Sequence, residues 1–430
     1  MKMPRATEFD STLSLLRQGY ELVPNMSRKL GSDIYAGRLL LRKAIFMTGE
    51  EAARLFYDNE KFQRHDAMPK RVQKTLLGIG GVQGLDDECH RHRKHLFVQQ
   101  IMAPEKIESL KQITRQELLS AAKGWPHTSQ VMLFPELQLI LCRAVCQWTG
   151  VPLNDAEAKQ RAGDLGAMIE SGGRVGISHW HGRWARKRSE RWLGGLIEKV
   201  RSNELFADRN SVFCTIAFYR ELNGELLSPQ VAAVELLNIL RPTVAIARFM
   251  IFGALALHEH PQCRNAINHG GQEYLEMFVQ EVRRFYPFFP LLAARVRKSF
   301  QWKGHHFPKG RRVILDLYGT NHDIRLWQNP HEFSPERFRN RAENAYDFIP
   351  QGGGDYQVHH RCPGEWITVE LMKMGLDFIA REITYTVPVQ NLEIDLKKVP
   401  TLPASTFIIE KVRLVNRQKI MEPQGSIIYC

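Results

Sequence analysis

Phe348-Ile-Pro-Gln-Gly-Gly-Gly-Asp-Tyr-Gln-Val-His-His-Arg-Cys-Pro-Gly364 is the stretch on which the reading of this 430-residue chain turns. A glycine-rich loop runs into Cys362, then Pro363 and Gly364, and a helical pattern follows from Glu365 to about Arg381. A thiolate at a helix N-terminus is stabilised by backbone N–H groups and by the helix dipole. Gly364 lets the backbone pass close to something flat and large. Haem b fits that description, with the Cys362 thiolate as its proximal iron ligand.

Two further motifs stand at fixed places before this loop. Glu281 and Arg284 are three apart in Glu-Val-Arg-Arg-Phe-Tyr-Pro and so share one helix face. Pro335-Glu336-Arg337-Phe338 follows, just upstream of the cysteine loop. The order of these motifs resembles the cytochrome P450 superfamily, and the resemblance covers nearly the whole chain. It implies a mainly α fold with small β-sheets, the haem-thiolate fold, as one domain over residues 1–430. It also implies that Glu281, Arg284 and Arg337 form a structural charge cluster behind the haem.

Composition agrees with a globular chain: 24% charged and 43% hydrophobic residues, with no linker-like break. Seven cysteines, at 89, 142, 146, 214, 263, 362 and 430, form no paired framework. They point to a reducing, cytoplasmic location. Cys142 and Cys146 read as helical core thiols, and His90-x-His92 has no companion cluster that would make it a zinc site. The N-terminus has no apolar h-region, and no apolar run reaches the ~18 residues of a spanning helix, so no membrane anchor is expected.

The net charge of +13 is concentrated partly in His179-Trp-His-Gly-Arg-Trp-Ala-Arg-Lys-Arg-Ser-Glu-Arg-Trp192. A solvated amphipathic helix with its tryptophans in the core is the expectation there, with no nucleic-acid partner. Nucleic-acid contact and attraction of anionic surfaces are the other readings of such a segment.

Residues 33–48 read as a β-hairpin, residues 104–257 as almost all helix, residues 305–318 as short strands and the tail after Ile383 as β-rich. The helix from Ser228 to about Leu257 is apolar nearly all round, so it should be buried. Ser228-Pro229 supplies its N-cap and first residue. Pro242 should kink it, and Arg241 places a permanent cation at that kink. A buried charge needs a partner. Glu235 or a distant carboxylate would make Arg241 a structural ion pair, and Arg248, two turns on, competes with Arg241 for any ligand-binding role.

Most members of the superfamily carry an acidic residue and a threonine in this helix, where the present chain has Arg241-Pro242. The longer cysteine loop, with Asp355 and Val358 at the usual Phe and Gly positions, departs in the same direction. Both features resemble the bacterial fatty-acid peroxygenases. That resemblance implies hydrogen-peroxide-dependent hydroxylation of long-chain fatty acids at the α or β carbon, without a redox partner. Arg241 and Pro242 would place the substrate carboxylate as the acid–base group over the haem. Gln83 would occupy the distal position that varies between Gln and His in that group, Gln being associated with hydroxylation and His with terminal-alkene formation.

The same resemblance puts His90, Lys94, Arg64, Arg295 and His360 at the haem or its propionates. His90 and Lys94 also share a helix face by their spacing. Leu76, Leu77, Phe288, Phe289 and Leu291 are the candidate walls of the substrate channel. Three other readings remain at this stage: decarboxylation to terminal alkenes, a reductase-dependent monooxygenase, and a non-catalytic haem sensor.

Overall fold

The long helix Pro229–Glu259 runs through the middle of the molecule, and the computed structural model, which describes residues 2–174 and 176–415, is organised around it. The Ser228 side chain accepts a hydrogen bond from Val231 N–H, and Pro229 opens the first turn, as the sequence predicts. From Ala232 to Leu257 nearly every residue is buried. The helix packs against helices Leu133–Thr149, Ile177–Arg201, Pro261–Phe285 and Glu365–Arg381. It is long and apolar enough to cross a membrane, but its apolar surface is covered by these neighbours.

Pro242 does not interrupt it. The helix expected to kink there runs through Pro242 as one continuous element. Proline removes one hydrogen bond and crowds the preceding turn, at a cost of ~3 kcal/mol, and packing on all sides offsets that locally. Where the helix crosses Glu365–Arg381, Gly253 allows the close approach: a Cβ there would stand 2.5 Å from Leu376 Cδ1.

The β component is small, as expected. Ile34–Leu39 and Arg42–Met47 form the predicted hairpin. They extend into a five-stranded sheet through Arg312–Asp316, Leu291–Val296 and Phe62–Gln63. The pairing of Arg42–Met47 with Arg312–Asp316 is parallel; the others are antiparallel. A three-stranded sheet joins Gln130–Met132, Ile408–Leu414 and Ile383–Thr386. The strand after Arg312 stops at Asp316 because its carboxylate caps a short helix, accepting from Gly319 N–H at 2.9 Å. Cys142 and Cys146 are buried core thiols, and the described residues hold no group of three or more potential metal-ligating side chains. Cys430 lies outside the described residues.

One expectation is corrected. Helix Ile177–Arg201 buries Gly182, Ala185, Arg186, Ser189 and Leu193. With 3.6 residues per turn, that face leaves Trp180 and Trp184 on the opposite side, at 63% and 58% exposure. Only Trp192 of the three tryptophans packs toward the core.

The charge cluster forms as expected. Arg284 Nε and Nη2 donate to the two Glu281 oxygens at 2.7 and 2.8 Å, and Arg337 Nε donates to Oε1 at 3.1 Å. Arg284 Nη1 reaches the carbonyls of Asn321 and Pro330, and Ser334 N–H donates to Glu281. Glu281 and Arg284 are completely buried. The cluster therefore clamps the segment 321–337 onto helix Pro261–Phe285. Glu281→Ala leaves two arginines without their carboxylate. Urea unfolding should show a loss of about 3–5 kcal/mol. A loss below ~1 kcal/mol, the level of an exposed pair, would refute that role.

Candidate active site

The cysteine loop is built by tight turns. Gly352 and Gly354 have φ of 93° and 81°, and a Cβ on Gly354 would stand 2.6 Å from His359 Nδ1. Cys362 N–H donates to Gln351 O at 3.2 Å. Gln351 Nε2 lies 3.8 Å from Cys362 Sγ and 3.1 Å from Thr368 Oγ1, on the following helix. Burial pushes the Cys362 thiol up; the Gly364 N–H, Lys94 and Gln351 pull it the other way. Those are the donors that a metal-bound thiolate uses. A Cβ placed on Gly364 would meet only Cys362 Sγ, at 3.8 Å, so a flat group can lie across this turn.

Beside the loop stands a group of buried basic side chains. Lys94 donates to the carbonyls of His359, at 3.2 Å, and Arg361. The rings of His90 and His360 stack at 3.8 Å between centroids. Arg64 is buried over the Phe56 ring and donates to Phe56 O at 3.2 Å. Burial, reinforced by their mutual repulsion, pushes His90 down to about 3 and His360 well below its usual range. Lys94 is pushed down to about 8 by burial and Arg361, opposed by Cys362 and Asp355.

Asp86 stands 3.9 Å from His360 Nε2, and it already accepts from the backbone N–H groups of Arg64 and His65. Arg64 and Lys94 are cations with little counter-charge beside two neutral imidazoles that can donate through ring N–H, a set that suits an added dianion. Together with the sulfur donors and the open turn, they fit haem with its two propionates. Arg295 sits further out. It is half-buried, its Nε donates to Gly310 O at 3.3 Å, and its strand pairs with Gln63, next to Arg64.

On the other side, Arg241 resolves the competition between the two arginines. Arg248 is paired: its guanidinium meets Glu170 and the Thr401 carbonyl. Glu235 is also taken, by Arg93 Nη1 at 2.5 Å and by Val82 N–H at 2.8 Å. Arg241 is 6% exposed, and among the described residues its buried Nη1 has no hydrogen-bond partner. Burial pushes it down to about 9, with Arg186 adding to the effect and Cys362 opposing it. It is still a cation at neutral pH.

Beyond Arg241, Leu76, Ile169 and Ala245 form a small apolar cluster, with Val72, Leu77 and Phe288 packed against it. Leu76, Leu77 and Phe288 thus meet where the sequence places them. Phe289 lies at the edge of this group, 37% exposed with its ring centroid 4.5 Å from that of Phe288. Leu291 lies elsewhere: it packs with Ala293, because strand alternation turns both to the same face.

Gln83 is fixed by residues that sequence reasoning passed over. Asn238 Nδ2 donates to Glu235 Oε2 at 2.9 Å and to Gln83 Oε1 at 3.1 Å. Glu235 must be the acceptor, because Arg93 and Val82 N–H both donate to it. Asn238 must then present its NH₂ group, and Gln83 its carbonyl oxygen. The spacing 235, 238, 241 puts all three on one helix face, a signal present in the sequence.

The comparisons with known proteins agree with this geometry. The family model Cytochrome P450 matches residues 271–402. An Arabidopsis thaliana protein, cytochrome P450 71B8, is 29% identical over 157 residues, which is 32% of this chain and 30% of that protein. Putative cytochrome P450 138 of Mycobacterium tuberculosis is 22% identical over 84% of this chain and 83% of its own length. Among solved structures, cytochrome P450SP alpha (CYP152B1) in complex with (R)-ibuprophen superposes with a TM-score of 0.92 at 45% identity, covering 94% of this chain and 99% of that one. Cytochrome P450EX alpha (CYP152N1) with myristic acid gives 0.93 at 41% identity, with 96% and 99% covered. Cytochrome P450 OleT in complex with arachidonic acid gives 0.93 at 34%, again with 96% and 99% covered. With the motifs, the site and near-complete superposition in agreement, the chain belongs to the cytochrome P450 superfamily, in its CYP152 group, and is a haem-thiolate oxidoreductase.

Proposed function

We propose that this protein hydroxylates long-chain fatty acids at the α or β carbon, with hydrogen peroxide as the oxidant and no redox partner. Residues 1–430 act as one unit in this reading. The observation that carries it is the buried, unpartnered Arg241 beside an apolar cluster. Leaving a buried cation without a counter-ion costs several kcal/mol, and a ligand carboxylate offsets that cost. The ligands in the three solved relatives are all carboxylic acids on apolar bodies.

Haem, bound through Cys362, supplies the iron at which peroxide is activated. Arg241 binds the carboxylate through charge-assisted hydrogen bonds and limits the reach of the site to the carbons next to it. Leu76, Leu77 and Phe288 hold the chain and exclude water. The turn Arg241-Pro-Thr-Val-Ala245 has no acid of its own, and Thr243 Oγ1 is committed to Ile239 O at 2.9 Å. The proton that peroxide cleavage requires is therefore held by the substrate carboxylate at Arg241. Gln83, with its oxygen turned to Asn238, presents a neutral amide NH₂ to the distal side. It cannot donate a proton as an imidazolium can, which favours hydroxylated over decarboxylated product.

Cys362→Ala should abolish the strongly red-shifted absorption band of the reduced, carbon-monoxide-bound protein; a surviving band means another ligand. Arg241→Ala should weaken fatty-acid binding, read by the haem absorption shift, by about 10- to 100-fold, the worth of a charged hydrogen-bonded contact. It should also slow peroxide-driven turnover, and unchanged values for both would return attention to Arg248. Mass spectrometry of products from a fatty-acid panel and peroxide should show mainly 2- or 3-hydroxy acids. Gln83→His should raise the alkene fraction. Alkene as the main product of the unmodified protein would replace hydroxylation by decarboxylation as its reaction.

A further inference from the structure

Helix Ile177–Arg201 carries a surface that the site chemistry does not use. Ile177, Trp180 and Trp184 stand at i, i+3 and i+7 with 90%, 63% and 58% exposure. They form one apolar stripe on the face opposite the buried one. Lys187 continues the stripe, its Nζ 5.3 Å from the Trp184 ring centroid, and Arg191 follows one turn later. Between 177 and 191 the sole acid is Glu190, and Arg186 holds it at 2.6 Å. The exposed face therefore combines large apolar side chains with uncompensated positive charge.

The same helix borders the route to Arg241 through its other side. Arg183 Nη1 donates to Lys74 O at 2.6 Å, and Arg186 Nη1 to Leu76 O at 3.1 Å. The 74–76 backbone is thus bonded to the helix that bears the stripe. Lys74 is exposed, while Leu76 is buried in the apolar cluster.

We propose that the Ile177/Trp180/Trp184 face docks onto an anionic lipid surface. Tryptophan and basic residues on one helix face match the boundary between headgroups and acyl chains. The rings and the aliphatic Ile177 enter the boundary while the cations meet lipid phosphates. A nucleic acid gives an exposed isoleucine nothing to bury against. A second copy packed through the same face would oppose Lys187 and Arg191 to their own symmetry mates, which is repulsive. Building on the fatty-acid reading, substrate passes from that surface along the 74–77 segment to Arg241.

The test separates docking from catalysis. Haem-loaded protein is floated with vesicles of phosphatidylglycerol and phosphatidylcholine, or of phosphatidylcholine alone, with no fatty acid present. Association with the anionic vesicles only, weakening steeply as salt rises, is the expected result. Trp180→Ala/Trp184→Ala should reduce it at least tenfold, with unchanged thermal midpoint and unchanged affinity for dissolved fatty acid. Lys187→Glu should reduce it as well. No association, or association that survives the double substitution, overturns the proposal. So does a concentration-dependent dimer that the double variant abolishes. Docking without oxidation of vesicle-borne fatty acid would count against the fatty-acid reading, not against the surface.

Discussion

A guanidinium left without a counter-ion inside a hydrophobic helix is the constraint to which the rest of this site answers. Helix Pro229–Glu259 carries two buried arginines of nearly the same facing, and the protein treats them differently. Arg248 is neutralised by Glu170 and the Thr401 carbonyl. Among the described residues no carboxylate pairs with Arg241, because Glu235, the one on its own face, is bound to Arg93 and Val82. Desolvation of that kind is tolerable only in a rigid scaffold that cannot move an acid across to relieve it. The same arrangement prepares the site for a ligand that brings its own negative charge.

The scaffold supplies that rigidity on both sides. Below the helix, Arg283 and Arg361 both bind the buried Glu365, in the first turn after the cysteine. The Glu281 cluster ties the preceding segment down. Buried pairs of this sort gain little over well-packed apolar residues, but breaking one is costly, so they fix geometry more than they add stability. Above it, the Arg186 guanidinium bridges Glu190 to the 76 carbonyl, so the helix with the exposed tryptophans also holds the backbone beside the apolar cluster of Leu76, Ile169 and Ala245. Gly78 is required at this contact: its φ is 91°, and a Cβ would stand 2.2 Å from Arg186 Nη2.

Much of this was legible in the sequence because the informative signals are local or motif-like. The hairpin at 33–48, the N-cap at Ser228, the glycine run before Cys362 and the Glu281–Arg284 spacing each follow from short-range chemistry. The resemblance to a known family added the meeting of His90, Lys94, Arg64 and His360, which lie far apart in the chain. What the sequence could not decide depends on long-range pairing. Whether Arg241 or Arg248 was free depended on where Glu170 and Glu235 would bond. The tryptophans of 180–192 were misplaced because composition names an amphipathic helix without saying which side faces in. The small residues Gly182, Ala185 and Ser189, which let the helix approach its neighbours, settle that side.

The polarity of the distal amides shows how a choice at one buried acid reaches the chemistry. An amide side chain can present either oxygen or NH₂, and nothing within Gln83 decides which. Arg93 and the Val82 N–H both donate to Glu235, so its carboxylate stays an acceptor despite burial, which acts to raise its pKa. An acceptor at Glu235 turns the Asn238 NH₂ inward, and that NH₂ in turn claims the Gln83 oxygen. Each step leaves the next group one orientation, so the donor face of Gln83 is set by an ion pair at Arg93 that touches neither Gln83 nor Arg241. The residue between Gly81 and Asn238 is thus less a free loop amide than the last member of a directed chain of hydrogen bonds. Substitution at Gln83 changes the terminal group while leaving in place the Glu235–Asn238 pair that orients it.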